Sequence, residues 1–247
     1  MKYQKLPVFL SGELARSELG STNAIITEYL LMHIHDETDI SVQTVADACH
    51  VGVGTVSRYV RSAGFGSFSQ LRSLLSQEAR PFERVNGDYG QLALFHAEAM
   101  KECLSSLNCK EIKDLARKIR DTEKVSIFGL LKGQSASFCL QADLLTLGKL
   151  TYTTVSAADQ MDSILHADKR ELIILFSATC SYFDYFDIRN KKEILSNRNI
   201  WMIGSGLCPE FIHHFISYIS SGIPLSHPLQ LMCIAEMIAQ EYAKAIE

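Results

Sequence analysis

Two hydroxyls and two guanidiniums fall within one short stretch of this chain: Thr55, Ser57, Arg58 and Arg61. At helical spacing they share a side with the small residues Val53 and Gly54, while Val56, Tyr59 and Val60 take the opposite side. Such a face suits the major groove of DNA. Small residues allow close approach, hydroxyls and backbone N–H groups hold phosphates, and arginine bonds to guanine O6 and N7. The frame is the run from Thr44 to Ala63, read as two short helices around a corner at His50-Val51-Gly52, with Val51 as the apolar plug. The corner departs from common usage twice. His50 stands where glycine is frequent, and histidine tolerates positive φ better than most side chains. Gly52 stands where Ser or Thr would cap the second helix, a change worth a few tenths of a kcal/mol or so. The alternative is a helical hairpin with no nucleic-acid partner.

A second set of groups lies in two loops far down the chain. After the apolar run Val125–Gly129 comes Leu130-Leu131-Lys132-Gly133-Gln134-Ser135, and after Leu172–Phe176 comes Ser177-Ala178-Thr179-Cys180-Ser181-Tyr182. A hydroxyl-rich loop leading into a helix suits an anion, because N–H groups and the helix dipole converge there. Gly129, Lys132, Gly133, Ser177, Thr179 and Ser181 are therefore the candidate effector-binding residues. Cys180 is either a reactive thiol at a helix start or a small filler. Glu210, His213, His214 and His227 offer acid–base groups, but none has a recognisable catalytic context, so no catalytic residue is assigned. His33 and His35, two apart on a helix, face different directions and read as solvated polar groups rather than a metal pair.

Bulk properties narrow the class. The 247 residues suffice for one large or two modest domains, and the 47% hydrophobic and 21% charged content is that of a globular chain. A net charge of −4 argues against non-specific coating of nucleic acid, yet five Arg against two Glu between Arg58 and Arg84 make that region locally basic. No run approaches a membrane span, and Leu6–Leu10 is too short for a signal-peptide core. Seven cysteines without a CxxC pair read as reduced thiols, which suggests a cytoplasmic protein with neither disulfides nor a zinc site.

The elements that must position these groups follow from periodicity. Ser21 or Thr22 caps a helix with Ile25, Ile26, Tyr29, Leu30 and Ile34 on one face, and Asp36-Glu37-Thr38-Asp39 ends the pattern. Ser41 opens the first helix of the pair. Ser67 or Ser69 caps a later helix carrying Leu71, Leu74 and Leu75, behind a corner whose Phe65 and Phe68 read as core rather than base-stacking groups. Pro81 and Asn86-Gly87-Asp88 mark a break, and residues 89–107 form a connecting helix packed on a second subunit or on its own C-terminal domain. From Lys110 helices alternate with strands at 125–129, 151–155, 172–176, 200–203 and 215–219, which implies a parallel sheet covered on both faces. Ligands of such sheets bind at the carboxyl ends of the strands. The expected architecture is an all-α helix-turn-helix domain over 1–80, a linker and connecting helix over 81–109, and an α/β three-layer parallel-sheet domain over 110–247.

The run Ser41–Leu71 resembles the N-terminal domain of the RpiR family of bacterial transcriptional regulators, through Thr55-Val56, Arg58-Tyr59, Gly64-Phe65 and Phe68. Residues 110–245 are similar in element order to the SIS (sugar isomerase) domain that follows it in those regulators. The loops depart from that domain's patterns. Of GxGxS, the second Gly and the Ser are Leu131 and Gly133; of SxSGxT, Thr179 replaces the second Ser, and Cys180 and Tyr182 replace Gly and Thr. The resemblance implies a regulator of sugar or amino-sugar metabolism genes that binds a double-stranded operator, with Thr55, Ser57, Arg58 and Arg61 facing DNA. It also implies a sugar-phosphate effector, a homodimer or higher homo-oligomer and no cofactor. Two alternatives stay open: a sugar-phosphate isomerase with an N-terminal extension, and a regulator whose second domain only dimerises.

Overall fold

The computed structural model describes residues 5–34, 40–75, 88–220 and 225–247. His35, the Asp36–Asp39 break, Arg80, Pro81, Arg84 and the Asn86-Gly87 turn lie outside the described residues. The chain divides into two compact units: residues 3–83 together with 154–161, and residues 1–2, 84–153 and 162–247.

The first unit holds α1 (Lys5–Arg16), α2 (Thr22–Met32), α3 (Val42–Ala48), α4 (Val53–Ser62) and α5 (Phe68–Leu75). Serine hydroxyls start three of them. Ser21 accepts the Ala24 N–H at 3.3 Å, Ser41 the Thr44 N–H at 3.0 Å and Ser67 the Gln70 N–H at 3.2 Å. Helix α1 was not expected from the sequence, yet it buries Leu6, Val8, Phe9 and Leu10. Its presence rotates the buried stripe of α2 away from the expected one. Ile25 is 39% exposed and Tyr29 half-buried, whereas Ala24, Ile26, Thr27 and Leu30 face inward. Thr27 is tolerated there because its hydroxyl bonds the Asn23 carbonyl and the Tyr59 hydroxyl, each at 2.6 Å.

The second unit contains α6 (Tyr89–Ser106), α7 (Cys109–Asp121), β1 (Val125–Gly129), α8 (Lys132–Thr146), β2 (Leu172–Phe176), α10 (Lys192–Ser196), β3 (Asn199–Gly204), β4 (His214–Ser217) and α11 (His227–Ile246); α9 (Ala157–His166) begins in the first unit and ends in this one. The strands pair in parallel in the order β1-β2-β3-β4. Both sets of alternating residues on the central strands are buried, as in a sheet covered on two faces: Ile174 and Ile203 on one, Ile173, Leu175 and Met202 on the other. Helices α7, α8 and α11 supply Leu115, Ile119, Leu140, Leu144, Ile234 and Ile238 to the first of these layers. The connecting helix α6, capped by Asp88, packs on α11, where the Gln230 amide donates to the Ala99 carbonyl at 3.0 Å.

The strand expected at 151–155 is reduced to one bridge. Tyr152 pairs in parallel with Ser126 on the outer edge of β1, donating to the Val125 carbonyl and accepting from the Ile127 N–H. The ladder stops because residues 154–161 leave the sheet for the helical unit. With Tyr152 on one side of β1 and β2 on the other, the winding reverses at β1. The crevice of such a sheet lies at the carboxyl ends of the two strands flanking that reversal, here β1 and β2.

Candidate functional site

In the helical unit the corner between α3 and α4 is formed as a left-handed step at His50 (φ 54°), followed by a Val51 N–H bond to the Ala46 carbonyl at 2.9 Å. Val51 is only half-buried; the fully buried residues of the two helices are Val45 and Ala46 of α3 and Val56, Tyr59 and Val60 of α4. Gly52 caps α4 without a side-chain bond. Tyr59 is 2% exposed and tied to Thr27, and burial pushes its hydroxyl pKa well up, so it stays neutral. The opposite face of α4 is open. Val53, Gly54, Arg58 and Arg61 are exposed, Thr55 and Ser57 half-exposed, and Arg58 Nη2 lies 3.4 Å from Thr55 Oγ1. Behind it the chain turns sharply at Gly64 (φ 90°), where a Cβ would meet the Phe9 ring at 2.7 Å. Phe65 is buried against Phe9, ring centres 5.3 Å apart, so it serves the core and is not available to stack on bases.

In the sheet unit the two loops meet at the β1–β2 crevice. Gly129 ends β1 and Lys132 opens α8, half-exposed. Leu131 keeps a left-handed backbone (φ 49°) although it carries a side chain. Gly133 is pressed onto β2: a Cβ there would sit 2.6 Å from the Phe176 carbonyl oxygen. In the second loop the hydroxyls are engaged locally. Ser177 Oγ accepts the Tyr182 N–H at 3.1 Å, and Thr179 and Ser181 bond each other at 2.8 Å. Cys180 is also left-handed (φ 56°) and buried, and desolvation pushes its thiol up to about 12. It is a protonated filler, not an activated nucleophile. The helix expected after this loop is a single 3₁₀ turn, Tyr182–Tyr185. Aromatic packing replaces it: Tyr182 lies against Phe183 and Phe186, and Phe183 against Phe211, with ring centres 5.1–5.6 Å apart. Of the two loops, only the first leads into a long helix, α8.

Residues 3–81 match the family model described as "Helix-turn-helix domain, rpiR family". The N-terminal region is a helix-turn-helix domain of the rpiR family. An uncharacterized HTH-type transcriptional regulator of Caldanaerobacter subterraneus subsp. tengcongensis is 22% identical, and the alignment spans 46% of this chain and 44% of that protein, less than half the length of the relative. The Vibrio vulnificus NanR protein, solved in complex with ManNAc-6P, superposes with a TM-score of 0.53 at 14% identity, covering 97% of this chain and 92% of that one. A proposed sugar-phosphate isomerase of Listeria monocytogenes gives a TM-score of 0.50 at 12% identity over 64% of this chain and 87% of its own. These likenesses are of fold, and the sheet unit has the sugar-isomerase type of fold.

Both loops of the sheet unit carry a non-glycine residue at positive φ, Leu131 in the first and Cys180 in the second. The loops bring Gly129, Lys132, Gly133, Ser177, Thr179 and Ser181 to the same end of the sheet, but Gly133 faces β2 rather than open space. Other polar groups of this unit are paired. Gln134 donates to Thr153 Oγ1 at 3.1 Å, and Ser226 bonds His96 Nδ1 at 2.9 Å. His227, buried at the start of α11, has its pKa lowered by burial and by nearby positive charge that includes Lys132. The Ser226-His227-Pro228 opening of that helix was the available signal. Of the other candidates, His213 bonds the Ser196 carbonyl at 3.1 Å and His214 stacks on Trp201 at 4.6 Å. His33 is held by Tyr29, and among the described residues no three His, Cys, Asp or Glu side chains are placed to hold a metal. Among the described residues, no helix is long and apolar enough to cross a membrane.

Proposed function

We propose that this chain is a sequence-specific DNA-binding transcriptional regulator whose operator affinity responds to an anionic sugar at the β1–β2 crevice. The carrying observation is the open face of α4, where Thr55, Ser57, Arg58 and Arg61 stand clear of a core locked by Val56, Tyr59 and Val60. Arg58 and Arg61 reach base edges or phosphates, and the two hydroxyls hold phosphate oxygens. A homodimer sets two such helices on half-sites about one helical turn apart. The genes controlled are those of sugar or amino-sugar metabolism, in keeping with the fold relatives. In the crevice, Lys132, Ser177 and the α8 N-terminus receive the anion.

A second reading has its own support. The Thr179–Ser181 bond, the engaged Ser177 and the Tyr182 packing fit a unit that binds no small molecule and works through protein contacts. Isomerase chemistry is the least supported, since His213 and His214 are committed elsewhere.

A salt titration against genomic fragments tests the first statement. Selective binding that weakens with salt and is lost in Arg58→Ala supports it; indifference to sequence in both proteins removes it. Thermal shifts across a panel of sugar phosphates that includes ManNAc-6P separate the two readings of the crevice.

A further inference from the structure

We infer that residues 154–161 are the element through which a change at the β1 crevice reaches the DNA-reading helix. This segment comes from the C-terminal half of the chain but belongs to the helical unit. Its fit there is close. A Cβ on Gly12 of α1 would lie 2.5 Å from the Val155 carbonyl oxygen, so the helix backbone and the segment touch directly. Ala158 lies at the Gly64 corner that ends the α4 turn, 3.3 Å from where a Cβ on that glycine would be.

The contact is fixed by a buried charge. Glu13 is 1% exposed, and each of its carboxylate oxygens has a partner. Oε1 accepts the Ser156 hydroxyl at 3.0 Å; Oε2 accepts Arg16 Nε at 2.9 Å and Nη2 at 2.6 Å. Arg16 Nη1 reaches on to Asp159 at 3.3 Å, and Ser156 Oγ accepts the Asp159 N–H at 3.3 Å, capping α9. A carboxylate desolvated this far is held only while its partners stay in place, so displacement of Ser156 is costly and moves α1 with it.

The other end of the segment starts at the crevice. Thr153, the residue before it, accepts from Gln134 in the first turn of α8, and Gln160 Nε2 donates to the Thr154 carbonyl at 2.7 Å. An anion drawn to Lys132 and the α8 N-terminus shifts Gln134 and hence Thr153. The covalent chain then delivers that shift, within three residues, to Ser156 and Glu13. The inference rests on the regulator reading for its purpose, but its physical content does not require DNA.

Hydrogen exchange on the full-length chain tests it. Ser156→Ala is expected to raise amide exchange about tenfold in residues 5–16 and at the 63–66 corner, with residues 172–176 of β2 unchanged. Thr153→Val, which removes the acceptor of Gln134 from the other unit, is expected to raise exchange in the same two places to a smaller degree. Exchange that rises for Thr153→Val only within 125–153 overturns the inference. So does a uniform rise over both units in Ser156→Ala, which would mark general loss of stability. Since neither operator nor sugar phosphate is used, loss of operator selectivity alongside the expected exchange pattern would remove the regulator reading and leave this coupling standing.

Discussion

The α3–α4 corner and the β1–β2 crevice share a backbone feature but differ in what surrounds it. His50, Leu131 and Cys180 all occupy left-handed backbone where glycine is the easy choice, so in both places the chain course is retained at a cost of about 1 kcal/mol or more per residue. At the corner, the side chain of His50 points clear, and the face of α4 in front of it is open to solvent. In the crevice, Leu131 is half-buried, Cys180 and Tyr182 are buried, and the hydroxyls of Thr179 and Ser181 bond each other. Loop course and loop chemistry are thus separable. Beside His50 the polar groups stand open; beside Cys180 the hydroxyls are engaged with one another.

Four experiments break or sharpen that contrast. The largest effect is expected on the open face. Arg58→Ala with Arg61→Ala should weaken operator binding more than a hundredfold, about 3 kcal/mol, with an unaltered melting temperature in a thermal scan; retained affinity would mean that the open face is idle. Next comes Gly133→Ser, which restores the residue usual in sugar-isomerase loops. Its Cβ would meet the Phe176 carbonyl, so a denaturant titration should register a loss of about 2 kcal/mol instead of a regained site.

Acid sensitivity is expected to be smaller. His227 and His214 both have folded pKa values below 6.5, so the unfolded chain binds more protons. Nothing is lost above pH 6.5; stability declines as pH falls from there to the folded values and is then level with respect to these groups. His227→Gln should flatten the melting temperature against pH between about 7 and 5, and an unchanged slope would show that its burial is not felt. The smallest effect belongs to Leu131→Gly, where relief of the left-handed backbone slightly exceeds the added chain entropy, for a gain of about 0.5 kcal/mol in chemical denaturation.

The sequence was most informative where a single local rule sets the outcome. Serine caps at 21, 41 and 67, the α4 stripe, and the apolar runs of β1, β2 and β3 need only periodicity and a hydroxyl in the right place. It was least informative where distant segments decide. Helix α1 looks like a short apolar run until its partners are known, and the face that α2 buries depends on where α1 lies. Residues 151–155 have strand character, but only Tyr152 pairs, because Ser156 just beyond them is claimed by Glu13 from far away in sequence. In the candidate site, the Leu131 and Cys180 substitutions were visible as lost glycines. That their backbones are left-handed, and that only a 3₁₀ turn follows at Tyr182–Tyr185, depends on packing that spacing alone does not encode.

The clasp on Ser156 has a consequence for how the protein is made. During synthesis the helices of the first unit leave the ribosome early, but their last buried pieces, Ser156, Ala157 and Gln160, are translated only after β1 and α8. Until then Glu13 lacks its hydroxyl partner and the Gly12 surface is bare. The amino-terminal unit is thus begun first but cannot be completed until β1 and α8 of the other unit have been made.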